Sequence, residues 1–377
     1  MKIQMETGIS ADHLYARAVV EKAMRYGLRA EVISSAGKDF SETEIRLINT
    51  DTAKAGSLGE FMFSSMPGVA QVIRITPSAV SLATNGDYHK IRIGSTLIGR
   101  NQPRVLIAGP CTVEENTPRH LRKLAEAGVR LVRGGCWKPR SRPGSYPGPG
   151  IKGVEILVSS ALEYDLEGVC IEVMDTSQLR AIQRVSDWLG FNGTIILWVG
   201  ARTSNQELML QLGRQTQFPV IVKNGLYETI DEFINRVSWL LVGEQSFDLA
   251  GNLISNASLK QGNDQIMLLV RGQKNTGKSR YRYDPKAHLI GDLISRCWTP
   301  VGFDPSHAAG TMQNDLVLKL LRSALVSEDP DFVMLETKLD DAVPVCDAEQ
   351  AVPISRLPEV FSMITRPLSL KIAASAV

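Results

Sequence analysis

From Arg104 onward the chain repeats one pattern: a short, nearly continuous apolar run, then a stretch with helical periodicity. Eight such runs are present: VLIAGP (105–110), VRLVRGG (129–135), GVCIEVM (168–174), TIILWVGA (194–201), PVIVKNG (219–225), IMLLVRG (266–272), PVGFDPS (300–306) and FVMLETK (332–338). Runs without polar alternation suit parallel strands buried on both faces. The segments between them, such as Pro118–Ala127, Gln178–Leu189, Asp231–Leu241 and Asp315–Leu325, carry the spacing of amphipathic helices. Strands alternating with crossover helices define the α/β class, and eight of each argue a closed (β/α)8 TIM barrel over residues 104–370. An open doubly wound sheet is the competing architecture. It would leave the first and last strands apart, whereas a barrel gathers all eight C-terminal ends around one mouth, where barrel enzymes keep their chemistry.

The residues before the barrel read as a separate small unit. Residues 1–76 follow the order strand, helix, strand, strand, helix, strand, a ferredoxin-like βαββαβ domain. Residues 77–103, with the turn signal Asn85-Gly86-Asp87 and the alternating runs HKIRIG and TLIG, read as a linker and β-hairpin. Pro139–Gly153 is a Pro/Gly-rich loop placed to close over a site, and Gln245–Gln265 is a polar surface insertion.

Composition narrows the function. A net charge of +2 over 377 residues, with no basic block and 6% aromatic residues, disfavours nucleic-acid binding. No apolar run is long enough to span a bilayer, and the N-terminus lacks the charged and apolar regions of a secretory signal. Five cysteines without paired spacing, Cys111, Cys136, Cys170, Cys297 and Cys346, fit a reducing cytoplasm.

Two sets of residues stand at the expected strand ends. The first is cationic: Arg133 and Lys138 at the second strand, Arg202 at the fourth, Lys223 at the fifth and Arg271 at the sixth. Arg and Lys are seldom buried without partners, so five at neighbouring strand ends call for anions. Acids across the mouth, Glu172 among them, are the structural alternative. The second set is Cys111, His307, Glu336 and Asp347, a thiolate, an imidazole and two carboxylates that suit a borderline divalent ion better than magnesium or calcium. Taken singly, each has a plainer reading: Cys111 as core, Glu336 as an ion-pair partner, Asp347 as a helix N-cap. A metal ringed by Arg and Lys suggests a site for a phosphorylated, acidic substrate. The other four cysteines, and His13, His89, His120 and His288, read as structural.

The motifs AGPCTVE, RGGCWKPRS, EVMD, VGAR, PVIVKNG, VRG and FDPSHAAG, with the pair Glu336 and Asp347, cover about residues 104–350 in one order. In these the chain resembles the type I 3-deoxy-D-arabino-heptulosonate 7-phosphate (DAHP) synthase family, in the branch shared with 3-deoxy-D-manno-octulosonate 8-phosphate (KDO8P) synthase. The N-terminal unit is similar to the regulatory domain on some members. The resemblance implies a homodimeric or homotetrameric cytoplasmic enzyme of the shikimate pathway. It would condense phosphoenolpyruvate with a phosphorylated aldose, erythrose 4-phosphate first among them, and release phosphate. It implies that Arg133, Lys138, Arg202, Lys223, Arg271 and the Ala201 amide hold phosphoenolpyruvate, and that Arg140 and Ser141 grip the aldose phosphate. Cys111, His307, Glu336 and Asp347 would hold Mn²⁺, Zn²⁺, Co²⁺ or Fe²⁺, Lys138 would act as general acid, and an aromatic amino acid would be the effector. Cysteine at position 111 favours the metal-dependent form.

Four departures concern the acceptor side. Val270 stands where the family usually has Glu, Lys338-Leu339 replace a His-Pro pair, and the loop after Lys138 reads PRSRPGSYPGPG with an extra cation, Arg142. The segment KNTGKSRYRYDPKAH matches neither branch. A KDO8P synthase-like enzyme, or a paralogue with another aldehyde, therefore remains open. So do a Schiff-base aldolase using Lys223 and a non-catalytic phosphosugar-binding barrel. For the N-terminal unit the plain alternative is a dimerisation module.

Overall fold

Closure decides between the two architectures. Eight strands, β7 (Val105–Gly109), β8 (Leu131–Gly134), β9 (Gly168–Val173), β10 (Thr194–Val199), β11 (Val220–Lys223), β12 (Ile266–Val270), β13 (Val301–Phe303) and β14 (Phe332–Lys338), pair side by side and all in parallel. β14 then pairs with both β13 and β7, with Glu336 beside Gly109, so the sheet is a closed ring and not an open one. The structure, a computed structural model, describes residues 1–36, 41–48, 61–73, 81–83, 88–140, 142–203, 205–215, 218–243, 262–275, 277–310, 314–346 and 348–365. The expected surface insertion lies outside the described residues except for its last positions, 262–265.

Two compact units are distinguished, one containing Met1–Ser81 and the other built from Leu82–Leu241 and Gly262–Val377. The first has the expected order: β1 (Lys2–Met5), α1 (Leu14–Arg25), β2 (Arg29–Ala36), β3 (Ser41–Ile48), α2 (Phe61–Ser64) and β4 (Val69–Ile73). Its sheet is antiparallel in the order β2-β3-β1-β4. Alternation along β1 turns Ile3 and Met5 inward, and α1 lays Ala16, Val19 and Ala23 against them, with Ile45 and Phe63 completing the core. His13 caps α1, its Nδ1 accepting the Tyr15 amide at 3.2 Å, so this histidine is structural as expected.

In the barrel unit the strands face two cores. Alternate side chains point outward to the helices α3 (Thr117–Glu126), α4 (Ile151–Glu163), α5 (Thr176–Leu189), α6 (Gln206–Gln215), α7 (Ile230–Ser238), α8 (His288–Arg296), α10 (Asn314–Ser327) and α11 (Leu357–Ile364). A short helix, α9 (Pro305–Ala309), follows β13 where the sequence pattern had extended the strand. Asp304 forces this: its carboxylate accepts the His307 amide and starts a helix, with Pro305 at the first position. The other side chains fill the bore with Ile107, Leu131, Cys170, Ile196, Trp198, Ile221, Met267, Leu269, Phe332 and Met334.

The hairpin β5 (Ile91–Ile93) and β6 (Thr96–Ile98) belongs to this inner core. Ile91, Ile93 and Ile98 pack with the bore residues, so the segment expected as a connector also plugs the barrel. A last short strand, β15 (Val352–Pro353), pairs with the end of β14. At the mouth, β7 ends on Gly109 because a Cβ there would fall 2.0 Å from the Arg133 carbonyl oxygen. That close approach lets β7 and β8 present Cys111 and Arg133 side by side.

Candidate active site

The strand ends gather the expected cations around one cavity of about 40 Å³, lined by Arg133, Lys138, Glu172, Trp198, Ala201, Arg202, Lys223, Arg271 and His307. Arg133, Lys223 and Arg271 are buried, at 1%, 4% and 3% exposure, and Lys138 at 9%. Trp198, on β10 inside the bore, forms their floor: the Arg133 guanidinium lies 4.8 Å and Lys223 Nζ 5.5 Å from its ring centre. An aromatic face attracts cations that have lost part of their hydration. Arg202 is exposed at the rim, donating to the Pro139 carbonyl at 3.1 Å.

Part of this charge is answered within the protein. Arg133 Nη2 lies 3.3 Å from Glu336 Oε1, and Lys223 Nζ donates to Asp304 Oδ2 at 2.8 Å. The partner of Lys223 is thus Asp304, which the sequence placed within the apolar run 300–306, while Glu172 lines the cavity. Arg133 Nε and Nη1 and Arg271 Nη1 are buried with no hydrogen-bond partner among the described residues. Buried guanidinium hydrogens without acceptors are costly, and here they surround a space for an anion.

Asp304 also fixes His307, whose Nδ1 lies 2.7 Å from Asp304 Oδ2. The carboxyl is held well below the ordinary range: burial opposes ionisation, but His307 and Lys223 outweigh it. Burial pushes the His307 imidazole below its ordinary value. A neutral ring donating from Nδ1 carries its lone pair on Nε2, and Nε2 lies 3.6 Å from Glu336 Oε1. Gln350 donates to the other Glu336 oxygen at 2.5 Å, and Ser306 Oγ accepts the Glu336 amide at 3.0 Å. Burial would raise the Glu336 carboxyl, yet His307, Arg133 and Lys138 pull it down to about 2.

Of the four expected metal ligands the structure brings His307 and Glu336 together. Cys111 is buried beside Lys138, which donates to its carbonyl at 2.9 Å and its thiol at 3.2 Å. Asp347 lies outside the described residues, and among those described no three His, Cys, Asp or Glu side chains form a metal-holding group. The local chemistry still fits an ion. Glu336 Oε1 is buried without a hydrogen bond, and a carboxylate-anchored imidazole offering Nε2 is the usual setting of a metal-binding histidine.

Lys138 stays above the ordinary lysine value: burial works against the charge, but Cys111, Glu172 and Glu336 more than offset it. Arg140 donates to the Tyr146 carbonyl at 2.7 Å, Lys138 N to the Pro147 carbonyl at 2.8 Å and Gly150 N to the Cys136 carbonyl at 2.8 Å. These bonds fold the Pro/Gly-rich loop back onto the end of β8. Ser141 lies outside the described residues.

Cys346, read from sequence as structural, sits with its sulfur 3.6 Å from Cys111 Sγ, and the hydrogen bond to Cys111, then Lys138 and Arg140, brings its thiol down to about 6. Its position follows from the chain's return from β14 to β15, a stretch without helical or strand periodicity. Cys136 and Cys170 are buried and their thiols are pushed up by burial, in keeping with structural roles. Val270 packs in the outer core and not toward the cavity, and Leu339 does the same, while Lys338 donates to the Ala348 carbonyl at 2.9 Å. These departures therefore support the scaffold.

A family model described as the DAHP synthetase I family matches residues 78–366, which spans the whole of this site. The chain belongs to that family. It is 30% identical over 314 residues to the phospho-2-dehydro-3-deoxyheptonate aldolase of Thermotoga maritima, covering 82% of this chain and 81% of the relative. It is also 28% identical over 286 residues to the 2-dehydro-3-deoxyphosphooctonate aldolase of Syntrophotalea carbinolica, covering 71% and 91%. A crystal structure of the Thermotoga maritima DAHP synthase superposes with a TM-score of 0.72 at 26% identity, covering 96% of this chain and 95% of that one. The chain is thus an enzyme of the DAHP synthase family. Among the described residues no helix is long and apolar enough to cross a membrane.

Proposed function

We propose that the enzyme condenses phosphoenolpyruvate with a phosphorylated aldose, erythrose 4-phosphate first among the acceptors, to give DAHP and inorganic phosphate. The observation that carries this reading is the excess of cations at the mouth. Arg133, Lys138, Arg202, Lys223 and Arg271 face three carboxylates, Glu172, Asp304 and Glu336, and guanidinium hydrogens of Arg133 and Arg271 are left without acceptors. A small ligand carrying both a phosphate and a carboxylate completes that balance.

In this reading the five cations and the Ala201 amide bind and orient phosphoenolpyruvate, while Arg140 and Ser141 take the phosphate of the aldose. C3 of phosphoenolpyruvate attacks the aldehyde carbon, water adds at C2, and phosphate leaves with cleavage of its C–O bond. Lys138 delivers a proton to the alkoxide formed from the aldehyde. The buried guanidiniums hold the phosphate charge through to departure. Asp304 keeps Lys223 charged and His307 oriented. A divalent ion held by Cys111, His307 and Glu336, joined by Asp347, would supply Lewis acidity toward the aldehyde or an acidified water.

The relatives named 2-dehydro-3-deoxyphosphooctonate aldolases favour a second acceptor, arabinose 5-phosphate. One experiment separates the readings: phosphate release from phosphoenolpyruvate with a panel of aldose phosphates, with and without chelator and added Mn²⁺, Zn²⁺, Co²⁺ or Fe²⁺. Erythrose 4-phosphate is expected to give the highest kcat/KM, with activity abolished by chelator and restored by an ion. Turnover with arabinose 5-phosphate alone reassigns the acceptor. Full activity in chelator, with borohydride trapping of an adduct on Lys223, replaces the mechanism by Schiff-base chemistry. Repeating the panel with phenylalanine, tyrosine and tryptophan tests the N-terminal unit as an effector site.

A further inference from the structure

Residues 277–287, between β12 and α8, form a pinned strap against the site. After Val270 the chain turns at Gly272, with φ of 85°, where a Cβ would meet the Asp284 carbonyl oxygen at 2.7 Å and Tyr283 Cβ at 3.2 Å. Gln273 and Asp284 then exchange two backbone hydrogen bonds of 2.8 Å, one antiparallel bridge. Beyond it, Arg282 N and Tyr283 N donate to the carbonyls of Ala309 and Ala308, each at 3.3 Å, on the helix that carries His307. Gly310 makes this approach feasible, since a Cβ there would fall 2.1 Å from Arg282 Cβ.

The strap delivers one aromatic ring to the cations. The Arg271 guanidinium lies 4.0 Å from the centre of the Tyr283 ring, and that of Arg282 lies 5.4 Å from the same centre. Arg271 is 3% exposed, and its Nη1 has no hydrogen-bond partner among the described residues. Burial would raise the Tyr283 phenol, but Arg271, Arg282 and Arg202 together bring it below its ordinary value. Like charges gathered on one ring repel each other, and an anion among them removes that repulsion.

We propose that Tyr283 is a positioning residue of the substrate-anion site, fixing the Arg271 guanidinium by its ring and placing Arg282 at the rim as a further cation for the same anion. The proposal rests on phosphoenolpyruvate as the ligand of Arg271. The ring holds a guanidinium that must otherwise be ordered when the substrate arrives, so it acts on affinity more than on the chemical step.

The test is calorimetric titration of the full chain with phosphoenolpyruvate, for wild type, Tyr283→Leu and Tyr283→Phe, followed by steady-state kinetics. Loss of a desolvated cation–π contact predicts that Tyr283→Leu weakens binding and raises KM by about five- to thirtyfold, with kcat within about threefold. Tyr283→Phe, which keeps the ring, recovers most of that loss. Wild-type affinity in Tyr283→Leu overturns the proposal. So does equal weakening in both variants accompanied by lowered thermal midpoints, which marks a purely structural ring. If wild type does not bind phosphoenolpyruvate, that reading of the substrate fails by itself. Inorganic phosphate titrated into the same three proteins then decides the role of Tyr283, by the same ranking.

Discussion

At the scale of single residues, Asp304 does most to organise the site. It receives Lys223 at 2.8 Å and His307 at 2.7 Å while fully buried. Asp304→Asn leaves the Lys223 ammonium buried without this counter-charge, which costs about 3–5 kcal/mol, and, where His307 binds a metal as proposed, it removes that imidazole's anchor, worth roughly 10–100-fold in metal affinity. Urea denaturation and metal titration should report these two losses separately. His120 offers a prediction away from the chemistry. It is buried on α3, 2.9 Å from Thr337 Oγ1, and burial lowers its imidazole from 6.5 to about 4. The fold therefore holds the neutral ring. Its contribution is complete above about pH 6.5 and is lost as pH falls through 4. His120→Leu should lose about 2–3 kcal/mol less stability than wild type between pH 7 and pH 4.5, measured by urea denaturation at each pH. The positions of Arg133, Lys138, Lys223 and Arg271 were legible in sequence because each follows directly from a strand end. Asp304, Gln350, Cys346 and Tyr283 were not. Their roles depend on partners far along the chain, Asp304 with Lys223, Cys346 with Cys111, and local pattern carries no trace of such pairings.

At the scale of elements, the eight apolar runs placed the barrel strands to within a few residues, since burial on both faces leaves a strong pattern. The exception was the end of β13, where the Asp304 cap and Pro305 start a helix inside an apparently extended run. The four residues proposed from sequence as metal ligands came as residue types without mutual geometry: the structure joins His307 to Glu336 and gives Cys111 to Lys138 and Cys346, and Asp347 lies outside the described residues. The hairpin was recognised by its alternation, but its destination was not, because a period of two says which face is apolar and not what covers it. Ile93 and Ile98 are fully buried in the bore. That difference can be measured by where the chain is cut. A protein beginning at residue 77 keeps the hairpin and is expected to fold cooperatively. One beginning at residue 104 loses Ile91, Ile93 and Ile98 from the core, and should unfold at a markedly lower urea midpoint or fail to fold, by several times the cost of about 2–5 kcal/mol for truncating one such side chain.

At the scale of the whole molecule, the (β/α)8 ring divides the work between its two ends. One end carries charge that the protein does not fully neutralise, and the other is closed by apolar side chains. The matched family region, residues 78–366, begins before the hairpin and not at the first barrel strand, as expected if the plug is part of the same folding unit. The plug also sets the direction of traffic. With isoleucines filling the base of the bore, the charged mouth is the open end among the described residues. If phosphoenolpyruvate binds at that mouth as proposed, its phosphate leaves past the same rim, beside Arg202 and Arg282, through which the next substrate enters.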